Sequence, residues 1–174
     1  LVYAGSLGLG REKAIPLLAE AIELQKNELH PDFRVDIYSE KNLKDFNHHP
    51  SYHLIKKYIY FHAKVNPQKI QEIILPYYCG LTINSEIYPY AFGTKVFDYM
   101  VSGKKIFLIS NGGELYDYLK KKGCFAAGYS VSEIASELKK LKADFINSKN
   151  SSIEYPEFDL QYLTSKVESL LLCD

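Results

Sequence analysis

The sequence predicts an α/β domain of the Rossmann-like, doubly wound type, and three observations carry that expectation. Short apolar runs alternate with helix-length amphipathic segments along the chain, the pattern of successive βαβ units that close into a mainly parallel sheet covered on both faces. A length of 174 residues suits one domain around one core. A composition of 47% hydrophobic and 24% charged residues is that of a folded globular chain and excludes disordered and fibrous classes.

Leu1 to Ala4 read as a first strand ending at Gly5, and the loop Ser6-Leu7-Gly8-Leu9-Gly10 leads into a helix beginning near Glu12. In that helix Ile15, Leu18 and Ile22 recur at helical spacing, with Ala14, Leu17 and Ala21 widening the apolar stripe. Phe33 to Tyr38 alternates apolar and polar residues, as a half-exposed strand does. The polar stretch from Asn42 to Tyr52 reads as irregular, and Lys57 to Ala63 as a third strand through Ile59 and Phe61. Asn66-Pro67 is a helix start, with Asn as N-cap and Pro in the first helical position, followed by Ile70, Ile73, Ile74 and Tyr77 on one face.

Cys79 to Ile83 gives a fourth strand, Thr94 to Ser102 a short helix, Lys105 to Ile109 a fifth strand and Glu114 to Lys122 another helix. Phe125 to Ala127 is a sixth strand. Ser130 to Glu133 matches a capping box opening a helix through Ile134, Leu138 and Leu141. Ile146 to Glu157 reads as a polar surface loop, and Asp159 to Leu172 as a last amphipathic helix. A chain that opens on a core strand, with no lead-in, reads as a domain cut from a longer protein.

Twenty-one basic residues balance twenty-one acidic ones, so no general field attracts polyanions and no nucleic-acid partner is expected. Cys79, Cys124 and Cys173 are far apart and lack metal-ligand spacing, which fits reduced, buried thiols in a cytosolic protein. His48, His49 and His53 have no Cys or carboxylate at regular spacing to complete a metal site. No apolar stretch approaches the roughly twenty residues that cross a bilayer, so a soluble domain is expected.

In open parallel sheets, ligands bind at the carboxyl ends of the strands, where loops enter helix N-termini whose free amides and positive dipole ends favour anions. That rule selects the loops Gly5 to Arg11, Phe61 to Asn66 and Ser85 to Lys95. In the first, Gly5, Gly8 and Gly10 let backbone approach a ligand while Arg11 and Lys13 meet phosphate charge. Its spacing is neither a dinucleotide fingerprint nor a Walker loop, and a plain tight turn reads equally well. On the short helix after the third loop, Val96, Phe97, Met100 and Val101 share one arc and Thr94, Lys95 and Asp98 the other. Asp98 suits a ribose diol and Lys95 a diphosphate, whereas a solvated face with a Lys/Asp pair is the bland reading. Tyr88 and Tyr90 fit either helix-end packing or the apolar face of a sugar. His62, at a strand end, reads first as a hydrogen-bonded structural residue.

The stretch Tyr90-Ala91-Phe92-Gly93-Thr94-Lys95-Val96-Phe97-Asp98-Tyr99-Met100-Val101-Ser102-Gly103-Lys104 resembles the nucleotide-sugar signature of retaining, GT4-like GT-B glycosyltransferases. That signature runs Glu-Gly-Phe-Gly-Leu-Pro-x-x-Glu-Ala-Met-Ala-x-Gly, and Phe92, Gly93, Met100 and Gly103 match it. A variant with Ser/Thr-Lys-x-x-Glu/Asp-Tyr before Gly-Lys is matched by Thr94, Lys95, Asp98, Tyr99, Gly103 and Lys104. Tyr3-Ala4-Gly5, Phe61-His62-Ala63 and the segment Gly112 to Gly123 follow in the family's order.

The resemblance implies that residues 1–174 form the C-terminal, donor-binding half of such an enzyme, with the N-terminal acceptor domain outside this chain. It implies retaining, metal-independent transfer from a UDP- or GDP-sugar to a glycan or lipid-linked acceptor in polysaccharide biosynthesis, with no cofactor. The setting implied is the cytoplasm or the cytoplasmic membrane face, and the isolated half would be inactive. By the same likeness Asp98 holds the ribose; Gly5, Ser6, Gly8, Arg11, Lys13, Gly93, Thr94 and Lys95 meet the diphosphate; and the base lies near Phe61 to Lys64, beside His62. Two positions depart from the family. Its first glutamate is Tyr90 here, with Glu86 as a substitute if the loop bends back, and its Arg after the first-strand glycine is Ser6, which leaves that charge to Arg11 or Lys13. A non-catalytic nucleotide-binding or regulatory domain and a sugar-nucleotide epimerase are the rival readings.

Overall fold

A computed structural model describes residues 1–88, 93–147 and 152–158. Its strands are β1 (Val2–Ala4), β2 (Val35–Ser39), β3 (Ile59–Ala63), β4 (Cys79–Ile83), β5 (Lys105–Ile109) and β6 (Phe125–Ala127). They form one sheet in the order β3-β2-β1-β4-β5-β6, with every pairing parallel. Between them run α1 (Ala14–Leu24), α2 (Tyr52–Tyr58), α3 (Ile70–Ile74), α4 (Thr94–Val101) and α5 (Glu114–Lys121), with α6 (Val131–Asn147) after β6. The predicted doubly wound sheet is therefore present, six strands wide.

Each face of the sheet carries its own core, and strand alternation assigns the residues. Phe107 and Ile109 of β5 pack with α1, α2 and α6 through Leu18, Ile55 and Leu138. Ile106 and Leu108 turn the other way, onto Val96 and Tyr99 of α4 and Leu115 of α5. A strand covered on both sides has no solvent face, which is why β4 is buried throughout and β5 from Ile106 to Ile109. Each fully buried aliphatic side chain contributes about 1.5–3 kcal/mol over exposure.

Several boundaries differ from expectation. The polar stretch after β2 contains a 3₁₀ turn, Leu43–Phe46, closed by a capping box in which Asn42 and Asp45 satisfy each other's amides, and then α2. The third strand begins at Ile59, because Tyr52, Ile55 and Tyr58 repeat every three residues and pack on the α1 side as a helix. Arg11–Lys13 is a 3₁₀ turn, so α1 starts at Ala14. Strand β2 is not half-exposed: Asp36 is buried between its neighbours. Glu133 accepts from the Gly128 amide, and the Ser130 amide bonds to the Gly128 carbonyl in place of the predicted box. Helix α6 continues to Asn147, into the predicted loop. The predicted last helix, Cys173, Tyr90 and Phe92 lie outside the described residues.

On α4 the buried positions are Val96, Tyr99 and Met100, while Phe97 and Val101 face outward at 38% and 69% exposure. The apolar arc drawn from sequence was rotated because a tyrosine occupies the core. Strands β1 and β4 meet at a single register pair, Val2 with Gly80, where β4 and β5 share five. The Tyr99 hydroxyl sits in that gap, within 3.0 Å of the Val2 carbonyl and 3.1 Å of the Leu81 carbonyl, and accepts from the Ala4 amide at 3.3 Å. It satisfies backbone groups that the strand ladder leaves open, as buried polar groups require. Gly80 makes room for the ring: a Cβ there would lie 2.5 Å from Tyr99 carbons. Helices cross from one face of the sheet to the other at this β1/β4 boundary, the switch point of the fold.

Candidate functional site

A cavity of about 320 Å³ opens over the carboxyl ends of β1 and β4, at that switch point. Three walls surround it. The β1 side supplies Ala4, Gly5, Ser6 and Arg11; the segment after β3 supplies Lys64, Val65 and Pro67; and the start of α4 supplies Gly93, Thr94, Lys95 and Asp98. These are the three loops that the strand-end rule selects. Thr82, Ile83 and Asn84 at the end of β4, with Tyr38 and Ile70, form the floor.

Gly5 is held at a φ of 146°, and a Cβ on it would meet the Lys95 Cε at 3.0 Å and Nζ at 3.1 Å. The turn therefore needs glycine both for its dihedral and for the lysine passing over it. Ser6 donates from Oγ to Glu40 at 2.9 Å, and the Leu7 amide donates to the same carboxylate at 3.0 Å. Burial alone would raise the Glu40 carboxyl. Hydrogen bonds from its own backbone amide, Ser6 and Leu7, with Lys64 nearby, hold it below its ordinary value instead. Glu40 thus ties the first loop to β2 while drawing on the lysine of the second loop.

Helix α4 starts at Thr94 with Gly93 as an N-cap that offers no side-chain acceptor, and this first turn, from Gly93 to Lys95, lines the cavity. Lys95, in its first turn, folds back so that Nζ lies 3.6 Å from the centroid of the Tyr3 ring. Burial pulls this ammonium down to about 7, with Arg11 adding to the pull and Glu40 opposing it. Asp98, one turn further on, has its carboxyl raised by burial. A cavity holding cations that are poorly compensated, beside a desolvated carboxylate, suits an anion joined to a hydroxylated group.

The structure brings Gly5, Ser6, Arg11, Gly93, Thr94, Lys95 and Asp98 to one cavity. Four other expected positions lie elsewhere. Lys13 and Glu86 pair with each other at 3.5 Å on the exposed rim. Gly8 bonds through its amide to Ser6 Oγ, and its carbonyl accepts from Arg11 Nη1 at 3.2 Å. His62 contacts Asp36 Oδ1 through Nε2 at 2.7 Å and stacks on Tyr38 with centroids 4.4 Å apart, the structural role read for it. Lys64 and Val65 lie in the expected second loop, whereas Tyr38, Pro67 and Ile70 were not expected at the site. Tyr38 and Ile70 carry no motif; Lys64 was flagged only as the end of the base-side loop.

No family model matches the chain, and neither does any curated protein. A solved structure does. The structure titled "Crystal structure of GtfA/B complex" superposes with a TM-score of 0.63 over 97% of this chain, at 19% identity. The chain spans about a third of that protein's length, 34%. The fold is that of one Rossmann-like GT-B half. Among the described residues, no helix is long and apolar enough to cross a membrane.

Proposed function

We propose that this domain binds the donor of a GT-B glycosyltransferase, a nucleoside diphosphate sugar, for transfer to a glycan or lipid-linked acceptor held by a partner domain. The observation that carries the proposal is Lys95: a partly buried cation at a helix start without a side-chain cap, lining a switch-point cavity beside Arg11, without a carboxylate partner among the described residues. A departing diphosphate needs preorganised amides and cations, and these groups supply both without a metal. Asp98 lies on the same wall, in reach of a ribose diol, and Lys64 with Val65, Pro67 and Ile70 offers a mixed polar and apolar seat for a base. Retention of configuration, action at the cytoplasmic side and a role in polysaccharide assembly belong to the same reading. The likeness to GT-B folds supports the architecture that such a reaction needs.

A second reading, a nucleotide-binding domain without transfer, draws support from Lys13 and Glu86 pairing on the rim away from the cavity. Calorimetric titration of the domain with UDP, GDP, ADP and CMP decides whether the site takes a nucleotide, and one diphosphate should bind best. Asp98→Asn should weaken that diphosphate about tenfold, or about 1.4 kcal/mol, because a charge-assisted acceptor becomes a neutral amide. The 2′-deoxy analogue should lose less than the ribose form does in the variant. Equal binding of both nucleotides by wild type and variant overturns the ribose assignment, and no binding of any nucleotide overturns the donor-site reading.

A further inference from the structure

Tyr3 is fully buried in the centre of the sheet, yet it is the residue on which Lys95 rests. Its hydroxyl donates to the Ser6 carbonyl, so the side chain fastens the Gly5 turn with one end and offers a ring face to the ammonium with the other. The charged and titratable groups around this pair can be named. Arg11 faces it from the turn before α1, Glu40 from the end of β2, Asp98 from the same helix as Lys95 and Lys64 from the segment after β3; Glu12 and Tyr129 also act on Tyr3. Glu40 is engaged with Ser6 and Leu7, and no ion pair to Lys95 exists among the described residues. A ring face compensates a cation less than a direct carboxylate contact does.

We propose that Tyr3 is a positioning residue that seats Lys95 against the Gly5 turn, away from any carboxylate, so that a diphosphate enters this site together with a proton. The proposal rests on the donor-site reading of the cavity. In the free domain burial and the nearby Arg11 hold the Lys95 ammonium down at about 7, so the neutral amine gains on the ammonium above that pH. An arriving diphosphate supplies the missing negative charge, and Lys95 takes a proton from bulk solvent to become the ammonium that meets it. The terminal phosphate of UDP is already ionised at that pH, so the proton is counted on the protein. Affinity for the diphosphate consequently falls as pH rises from about 7 towards the ordinary lysine range, because each binding event must first recover a proton.

Two measurements test this. In the free domain, carbon NMR of labelled lysine side chains should show one lysine with a ring-current shift and a midpoint near 7; Lys95→Arg should delete that signal. Calorimetry of UDP binding near pH 8 in Tris, HEPES and Tricine, which differ in ionisation enthalpy, should give an uptake of about one proton per UDP. Tyr3→Phe keeps the ring and should keep both signatures, whereas Tyr3→Leu should remove the ring-current shift and move the midpoint. Lys95→Arg should bind UDP with no proton uptake. If Lys95 titrates with the other lysines while UDP still binds, the seat is overturned and the donor site stands. If Lys95 titrates near 7 but none of UDP, GDP, ADP and CMP binds, the donor-site reading fails and takes the proton-coupled capture with it. Should Tyr3→Leu not fold, wild type and Tyr3→Phe still decide, since the absence of proton uptake in wild type refutes the proposal.

Discussion

Two cavities of nearly equal size, about 340 and 320 Å³, open at opposite ends of the same sheet, and only their chemistry tells them apart. The first lies at the amino ends of β1, β2 and β4, where Leu1, Phe33, Tyr77, Tyr78 and Phe145 give it apolar and aromatic walls. Its ionic groups are largely spoken for: Arg34 lies 2.9 Å from Asp36, and His30 lies 3.7 Å from Asp32. The second lies at the carboxyl ends, with a glycine turn, an uncapped helix start and Lys95 resting on a ring instead of a carboxylate. Volume does not separate the two. The proposed donor site is singled out instead by the direction of a parallel sheet, which points helix N-termini to one end, and by a lysine without an ion pair among the described residues there.

The largest test of this contrast is Lys95→Met, which removes charge from the second cavity and leaves the first untouched. Loss of about two charge-assisted contacts, each roughly 1.5 kcal/mol, should weaken UDP about 100-fold by calorimetry. A change under threefold would show that the second cavity is no more an anion site than the first. A smaller effect is expected from Tyr99→Phe, which deletes the hydroxyl bridging Val2, Ala4 and Leu81 beneath the second cavity. Leaving those backbone groups unpaired should cost about 1–3 kcal/mol, or roughly 2–4 °C of melting temperature per kcal/mol. Unchanged melting would mean that the β1/β4 gap does not depend on this side chain.

The sheet was legible in the sequence because each strand is a short apolar run and each long helix carries a 3.6-residue stripe. The elements that were hidden are those whose signals are short or mixed. Helix α2 shows Tyr52, Ile55 and Tyr58 among His53, Lys56 and Lys57, too brief a repeat to outweigh its polar neighbours. Tyr99 belonged to neither arc drawn on α4, because its ring is apolar and its hydroxyl polar, and the splayed β1/β4 pairing is what gives that hydroxyl partners. At the site, glycines, Lys95 and Asp98 stood out through residue type and position. Tyr3, Glu40 and Tyr38 could not, since their roles depend on which strands become neighbours, and β1 lies between β2 and β4 only once the chain has folded.

The smallest expected effect concerns the first cavity, where Arg34→Gln should leave UDP affinity within about twofold and lower stability only slightly, because the contact is screened by solvent. Arg34 lies close to Asp36 Oδ2, yet that oxygen has no well-directed hydrogen bond, and the arginine side chain is 61% exposed. The directed partner of this buried carboxylate is His62, whose Nε2 lies 2.7 Å from Oδ1. Removing Arg34 therefore strips a screened charge contact and keeps the stronger one, so the cost stays well below the 3–5 kcal/mol of a fully broken buried pair. Asp36 and His62 sit on β2 and β3, and Tyr38, stacked on His62, forms part of the floor of the second cavity. Through that stack the two ends of the sheet touch. A tenfold loss of UDP affinity in Arg34→Gln would show that the stack transmits a shift of the Asp36 pair to the proposed nucleotide site, and the two cavities would then have to be treated as one coupled system.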